Sequence, residues 1–406
     1  MSGAVLTFDV MIVGAGASGL FCAFHVAQQG GRVLVVDHAN KAGKKILMSG
    51  GGRCNFTNLN VRSEHFVSQN PHFVRSALSK FTPEHFLSYV KKHKISYHEK
   101  SHGQLFCDNT SKDVLNMLLD ECQKHQVKIW LNTKILSITP DDDGFLVKTA
   151  TPSKIFAKHL VVATGGLSIP TLGASGFGYQ VATQFGHGIV PTQASLVPFT
   201  FSDKTGEMIK SLSGVSIDVA VFNDKIRFEL PMLFTHRGLS GPAMLQMSNY
   251  WQLGESFCVD LSPSTDLNDV LLSHKNTHPK QKIRTVLAPY FPKKLLTALE
   301  GYFWCAIKDI ELANIKDKEL TQIVHHLHHW HLKPSGTEGY RVAEVTRGGV
   351  DTKEICGQTF ESRRQSGLYF IGEVLDVTGQ LGGYNFQWAW ASGHACAMAI
   401  VKKLLE

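Results

Sequence analysis

The sequence predicts an α/β fold organised on a parallel sheet, and three observations carry that reading. A complete strand–turn–helix–strand unit opens the chain, a second strand–loop–helix closes it, and a stretch of different character lies between them. The first unit is Phe8–Asp37. Val10–Val13 is a continuous apolar run, the pattern of a parallel strand covered on both faces. Gly14, Gly16 and Gly19 fill a G-x-G-x-x-G turn, with Ala17 and Ser18 opening the helix between them. Leu20–Ala27 continues the helix, Gly30-Gly31 ends it, and Val33–Val36 is the second strand, closing on Asp37. In this Rossmann-like pattern one glycine makes the tight turn, one admits a pyrophosphate, and one lets helix pack on strand. The helix N-terminus adds free N–H groups and partial positive charge. Asp37 stands where a carboxylate accepts the hydroxyls of an adenosine ribose. An ADP-containing cofactor is expected.

Three later segments narrow that cofactor to FAD. Lys41–Asn58 places three glycines before Arg53, Cys54 and Asn55, the composition of a loop whose backbone a ligand can touch. Lys45 and Arg53 offer charge to a pyrophosphate, Ser49 and Asn55 offer neutral hydrogen bonds, and Gly51 and Gly52 offer access. Trp130–Ile138, Gly144–Thr149 and Ile155–Ala163 are three short β-rich runs joined by turn signals such as Asp141-Asp142-Asp143-Gly144. A small antiparallel excursion that returns at Ala163-Thr164-Gly165-Gly166 belongs to two-dinucleotide-binding-type flavoproteins; a plain nicotinamide dehydrogenase has no need of it. Ile135, Thr164 and Gly165 therefore join the expected cofactor-binding residues. Near the C-terminus, Leu368–Ile371 reads as a strand with Gly372-Glu373 at its carboxyl end, where an acidic side chain takes the ribityl hydroxyls. Gly383, Tyr384, Asn385 and Phe386 then open the last helix, whose N–H groups suit negative charge on a flavin ring.

The middle of the chain differs. Pro191–Asp260 alternates apolar and polar residues in short runs, including Val215–Phe222 and Ile226–Glu229, as a β-barrel or sandwich does. Residues 262–335 read as helical, with helices at Leu267–Ser273, Ile283–Leu287, Lys294–Ile310 and Leu320–Trp330. The expected division is 1–190 with 340–406 as a discontinuous FAD-binding Rossmann-like domain, 191–261 as an inserted β-barrel, and 262–339 as a helical subdomain. His325 and His329 are one helical turn apart, but no carboxylate or cysteine in the sequence nearby completes a site, so no metal is expected. Gly173–Gly178 (GASGFG) lacks the spacing and terminal acid of a second nucleotide site and reads as a loop near the flavin. NAD(P)H, if it is the electron source, must dock transiently.

Bulk properties exclude several classes. Hydrophobic residues make up 43% and charged residues 18% of the 406, which rules out a disordered or fibrous chain. No apolar run approaches the roughly 18 residues of a membrane span. The opening MSGAVLTFDV has no basic segment ahead of an apolar one, so no signal peptide is expected. Eight scattered cysteines without C-x-x-C read as reduced thiols in a cytoplasmic protein, and disulfide-reductase chemistry is excluded with them. The net charge of +7 comes in clusters such as Lys91-Lys92-His93-Lys94 and Lys293-Lys294, read either as solvated helix faces or as a surface for RNA.

The segments KKILMSGGGRCNFTN, GQLFCDNTSKDV, LFTHRGLSGPAML, VAEVTRGGV and GLYFIGEVLDVTGQLGGYNFQWAWASGHA resemble the YhiN/BaiN-like flavoproteins, also called aminoacetone-oxidase-like, essentially end to end. Many members carry Gly-Arg-x-Phe-Pro where this chain has Gly103-Gln104-Leu105-Phe106-Cys107, a form similar to the branch that makes dihydrouridine in large-subunit (23S) ribosomal RNA. The resemblance implies an FAD-dependent NAD(P)H oxidoreductase that saturates an activated C=C bond. In uracil, hydride would go to C6 and a proton to C5, with donors at O4 stabilising the enolate-like transition state. Candidate acids are Cys54, Cys107 and His236; Arg237 is a candidate for phosphate or O4. Trp388, Trp390 and Tyr384 offer either a stacking wall or core packing. The competing readings are an oxidase or reductase of a small amine, unsaturated acid or steroid, and a non-catalytic flavin-binding RNA factor.

Overall fold

The computed structural model describes residues 5–150 and 154–406; residues 1–4 and 151–153 of the expected flavin domain lie outside the described residues. The chain divides into two compact units, one made of both chain ends (through Ala194 and from Glu344) and one comprising Ser195–Ala343.

The first unit is organised by the strand Lys154–Val162. Along its whole length it pairs in parallel with Val5–Val13. Its first residues also pair antiparallel with Gly144–Thr149, and its last three pair in parallel with Leu368–Phe370. Val33–Val36 and Lys128–Trp130 extend the sheet on the far side of Val5–Val13, and Ile135–Asp141 closes it beyond Gly144–Thr149. The parallel strands are buried on both faces over the apolar runs Val10–Val13, Val33–Val36, Leu160–Val162 and Leu368–Phe370. The expected β-run Trp130–Ile138 is two strands rather than one. Trp130 ends an edge strand paired to Val36, and Asn132 takes a left-handed conformation (φ +52°) that breaks the run before Ile135 starts the antiparallel excursion.

Helix Ala17–Gln28 lies against the C-terminal helix Tyr384–Leu405, and glycine lets them close: a Cβ on Gly393 would stand 2.8 Å from the Ser18 carbonyl oxygen. Between them and helix Pro83–Lys92 sits an aromatic cluster. Phe86 stacks on Trp390 with centroids 4.4 Å apart, and Phe21 meets Phe24, Phe81, Tyr89 and Trp390. Trp388 and Trp390 are buried, their indole N–H groups bonded to the Gly372 and Phe56 carbonyls. Of the two uses open to them, they serve core packing.

The second unit, where an inserted barrel is expected, carries a seven-stranded antiparallel sheet ordered Trp330–Leu332, Phe257–Asp260, Ser216–Phe222, Arg227–Phe234, Gly238–Ser240, Phe199–Thr200, Gly336–Thr337. Its helices are Lys204–Ser211, Pro242–Ser248, Leu267–Thr277, Ile283–Leu287, Lys293–Phe303 and Asp317–His328, and sheet and helices share one core through residues such as Phe234, Phe257, Leu295 and Leu327. Two helices are shorter at their C-terminal ends than expected. The one expected to reach Ile310 stops at Phe303, where Trp304 leaves helical geometry, and a separate 3₁₀ turn follows. The one expected to include Trp330 stops at His328, and Trp330 begins a strand that returns to the sheet.

Inside the aromatic cluster His25 is only 4% exposed. Its Nδ1–H donates to the Phe21 carbonyl (2.7 Å), leaving Nε2 to accept from the Tyr89 hydroxyl (3.0 Å). Burial pushes its pKa down to about 3 despite the carbonyl contact. Between about pH 6.5 and 3 the unfolded chain therefore binds a proton that the folded protein excludes. Stability should fall as pH is lowered through that window, by about 1.4 kcal/mol per unit from this group. Urea melts at pH 7, 6 and 5 check this, and His25→Phe should flatten the dependence.

Candidate cofactor and active site

The glycine turn is held by contacts that leave no room for side chains. A Cβ on Gly14 (φ +113°) would stand 2.4 Å from the Ala163 carbonyl oxygen, and one on Gly19 would stand 2.0 Å from the Gly14 oxygen. Gly16 is different: a Cβ there would meet nothing within 4 Å. It caps the helix that begins at Ala17, so open space lies over the helix N-terminus, while Ser18 is buried under the turn. Asp37 accepts from the Ala15 N–H and the Ala39 N–H, both at 2.8 Å. It thus ties the turn to the end of the second strand. Each carboxylate oxygen keeps lone-pair capacity for a ribose hydroxyl.

Lys45, Ser168, Thr346 and Glu373 converge from four chain segments. The Lys45 ammonium donates to Glu373 Oε2 (2.6 Å) and Ser168 Oγ (2.7 Å). Glu373 Oε1 accepts from the Thr346 N–H (3.0 Å) and the Ser168 hydroxyl (3.3 Å), while Thr346 Oγ1 accepts from the Leu167 and Ser168 N–H groups. Lys45, read as a pyrophosphate partner, is thus ion-paired with Glu373, read as a ribityl partner. Ser168 and Thr346 were not singled out in the sequence, where isolated hydroxyl residues match no spacing. Gly166 is required here, since its Cβ would fall 2.5 Å from Thr346 Oγ1. Neighbouring Thr164 packs on Gly178 of the GASGFG loop, and Gly165 takes φ +72° above Glu373. Gly372 (φ +71°) packs against the Ser18 side chain and donates its N–H to Ser392. Ile135 is buried at the start of its strand.

The second glycine loop wraps residues 49–53. Gly50, Gly51 and Gly52 all take positive φ, and a Cβ on Gly51 or Gly52 would meet open space. Arg53 is exposed. The Ser49 hydroxyl donates to the Ile46 carbonyl. Asn55 sits where this loop meets the C-terminal helix: oriented to satisfy both amide ends, it donates to the Leu105 and Thr57 carbonyls and accepts from the Gly383 N–H, each at 3.2 Å. Gly383 (φ +92°) caps that helix. Asn385 turns back to bond both the N–H (2.9 Å) and carbonyl (3.0 Å) of Gly379. Tyr384 packs on His65 and Phe66, and Phe386 stacks on Trp390 at 5.6 Å.

Cys54 and Cys107 stand at the start of Asn55–Asn58 and the end of Gln104–Cys107, and both are fully buried. Burial raises both thiols, Cys107 to about 12 and Cys54 further still. Each stays a neutral thiol without exposed surface, a placement that suits packing. His236 and Arg237 belong to the other unit, exposed in the turn between Arg227–Phe234 and Gly238–Ser240, with Arg237 paired to Glu338 (3.0 Å).

Taken together, the residues of the first unit fit FAD: bare backbone at Gly16, Gly51 and Gly52, a helix N-terminus over open space, a carboxylate at each strand end, and a second helix capped by Gly383. Gly16→Ala and Gly19→Ala separate ligand access from folding. The first should leave the melting temperature of the cofactor-free protein unchanged while weakening FAD binding at least about tenfold. The second should lose about 2 kcal/mol or more of stability as well. Fluorescence titration with FAD and thermal melts read the two effects.

The HI0933-like protein Rossmann domain family matches residues 8–399. A ribosomal RNA dihydrouridine synthase of Escherichia coli (strain K12) is 48% identical over 395 residues, covering 97% of this chain and 98% of the relative. One of Haemophilus influenzae is 49% identical over 400 residues, with the same coverage. A 3-dehydro-bile acid delta(4,6)-reductase of Clostridium scindens is 29% identical over 411 residues, again covering 97% and 98%. Fold, glycine turns and end-to-end identity agree: the chain belongs to the HI0933-like Rossmann-domain family and is an FAD-dependent oxidoreductase.

Proposed function

We propose that this protein reduces a uridine of large-subunit (23S) ribosomal RNA to dihydrouridine, with NAD(P)H as a transient electron donor. The observation that carries this reading is the identity of 48–49%, spread over 97% of the chain, to two relatives named for that activity, against 29% for the bile-acid enzyme. FAD, when bound and reduced, supplies the hydride. The chain's own residues bind and orient. The Gly14–Gly19 turn and Asp37 would hold the ADP half, and the Lys45–Glu373 pair, being internally neutral, would offer a carboxylate to the ribityl chain without adding net charge. The N–H groups at the start of Tyr384–Leu405 favour negative charge on the pyrimidine edge of the flavin. Saturating the C5=C6 bond also needs a proton at C5. The candidates from the sequence are Cys54, Cys107 and His236 for that proton and Arg237 for the substrate's phosphate or O4; both thiols are buried, and His236 and Arg237 are exposed in the second unit.

Anaerobic mixing with NADH or NADPH should bleach the flavin. A protein-free ribosomal RNA transcript should then restore the yellow colour, with dihydrouridine detected by mass spectrometry. Cys54→Ala and Cys107→Ala should keep turnover within about threefold of the unaltered protein. His236→Ala tests the other candidate for the proton: a fall of about a hundredfold in reoxidation by RNA with flavin reduction intact marks it as the donor, and unchanged reoxidation discards it. Reoxidation by air alone, with the transcript inert, would discard the RNA reading in favour of an oxidase.

A further inference from the structure

The positive charge of this chain is concentrated in one segment. Residues 41–134 hold fifteen Lys and Arg against seven Asp and Glu, a net +8 where the whole chain carries +7. Twelve of those fifteen have no ion-pair partner among the described residues; the exceptions are Lys45, Arg62 and Lys92. The second unit, 195–343, has sixteen basic against fifteen acidic residues, and seven of the sixteen are ion-paired. An excess left unpaired in one place raises the local potential for an anionic partner, whereas paired charges cancel.

Within the segment, exposed cations and an aromatic ring lie on successive elements close to the glycine loop, with two acidic residues among them: exposed Glu99, and Asp108, which bonds His98 Nδ1 at 2.7 Å. Helix Pro83–Lys92 carries exposed Lys91 in its last turn, and exposed Lys94 follows in a left-handed turn (φ +55°). Lysine at a helix C-terminus is accounted for by the macrodipole, but Lys94 and Lys100 lie beyond the helix. Strand Tyr97–Glu99 then pairs with Gln104–Cys107, setting His98 opposite Phe106. Their rings stack, 6.1 Å apart and 14° from parallel, and the Lys100 ammonium stands 5.6 Å from the Phe106 centroid. Phe106 is only half-buried, and its ring edge lies 2.9 Å from where a Cβ of Gly50 would be. Beside it, Gln104 touches Asn55 and packs under Gly382. Cations spaced along a ledge with a partly exposed aromatic face are what a single nucleic-acid strand needs: charge for its phosphates and a platform for a base.

We propose that the surface running from Lys91 through Lys94, His98 and Lys100 to Phe106 grips a single-stranded stretch of the RNA substrate and leads it to the Gly50–Gly52 loop. This deepens the RNA reading above and rests on it. Lysines 91, 94 and 100 bind phosphate, and Phe106 stacks a base.

The test is the salt dependence of binding to the protein-free ribosomal RNA transcript between ~50 and ~200 mM KCl, paired with dihydrouridine formation. The triple variant K91Q/K94Q/K100Q should make the slope of log affinity against log salt shallower by about 2, with one release term of about 0.7 lost per phosphate contact. Its KM for the transcript should rise at least about tenfold, with flavin reduction by NAD(P)H unchanged. Phe106→Leu should weaken binding about fivefold or more without altering the slope, because stacking releases no counterions. Lys293→Gln with Lys294→Gln in the second unit should leave the slope as it was. An unchanged slope and KM in the triple variant, while the unaltered protein forms dihydrouridine, overturns the surface alone. An unaltered protein that forms none and binds the transcript without salt dependence overturns both readings.

Discussion

Backbone pairing along Leu160–Val162 joins the two ends of the chain. On one side these residues bond the strand that runs into the Gly14 turn, and on the other the strand that runs into Glu373. Parallel strands aligned in this way bring their carboxyl ends to the same edge, which is where ligands bind in open α/β sheets. Everything specific about the site depends on that junction. Lys45 and Glu373 are 328 residues apart in sequence and 2.6 Å apart in space. Ser168 joins them because it lies six residues beyond the same strand.

How far the fold and site were legible in the sequence follows from the range of the forces involved. The glycine turn was readable because its requirements are local: sterics at Gly14 and Gly19, and a strand and helix immediately on either side. The return of the C-terminal strand to the same sheet was readable for a similar reason, since Leu368–Ile371 is apolar and is followed directly by Gly372-Glu373. The Lys45–Glu373 pair was invisible. Each residue was recognised as polar and near the cofactor, but nothing in either segment shows that one neutralises the other. The same holds for Ser168 and Thr346, whose roles exist only through partners supplied by distant segments. Cys54 and Cys107 show another limit: reactive side chains beside glycines suggest chemistry, and only packing shows that both thiols are buried. Boundaries slipped where the local pattern was too short to resolve. Trp330–Leu332 is a three-residue strand following directly on a helix of the same apolar character, so periodicity assigned it to the helix.

The two units also differ in how they are stabilised. In the first, glycine permits close backbone approaches and aromatic rings fill the space between helices, with His25 kept neutral among them. In the second, sheet and helices share one core, and its sixteen basic residues are nearly matched by fifteen acidic ones. A surface with no net excess of one sign attracts anions less, so the contrast in charge is also a contrast in available partners.

The discontinuity of the first unit has a consequence for biosynthesis. A nascent chain presents the βαβ unit, the glycine loop and the whole second unit before Leu368 leaves the ribosome. The second unit has its own core and can close early, as separate domains do during synthesis. The Rossmann sheet cannot: its Leu368–Phe370 strand, the partner of Lys45 and the helix capped by Gly383 all arrive last. Cofactor capture is thereby postponed to the end of translation, and a chain terminated anywhere before that final strand has no complete pocket to fill, however well its N-terminal signature is preserved.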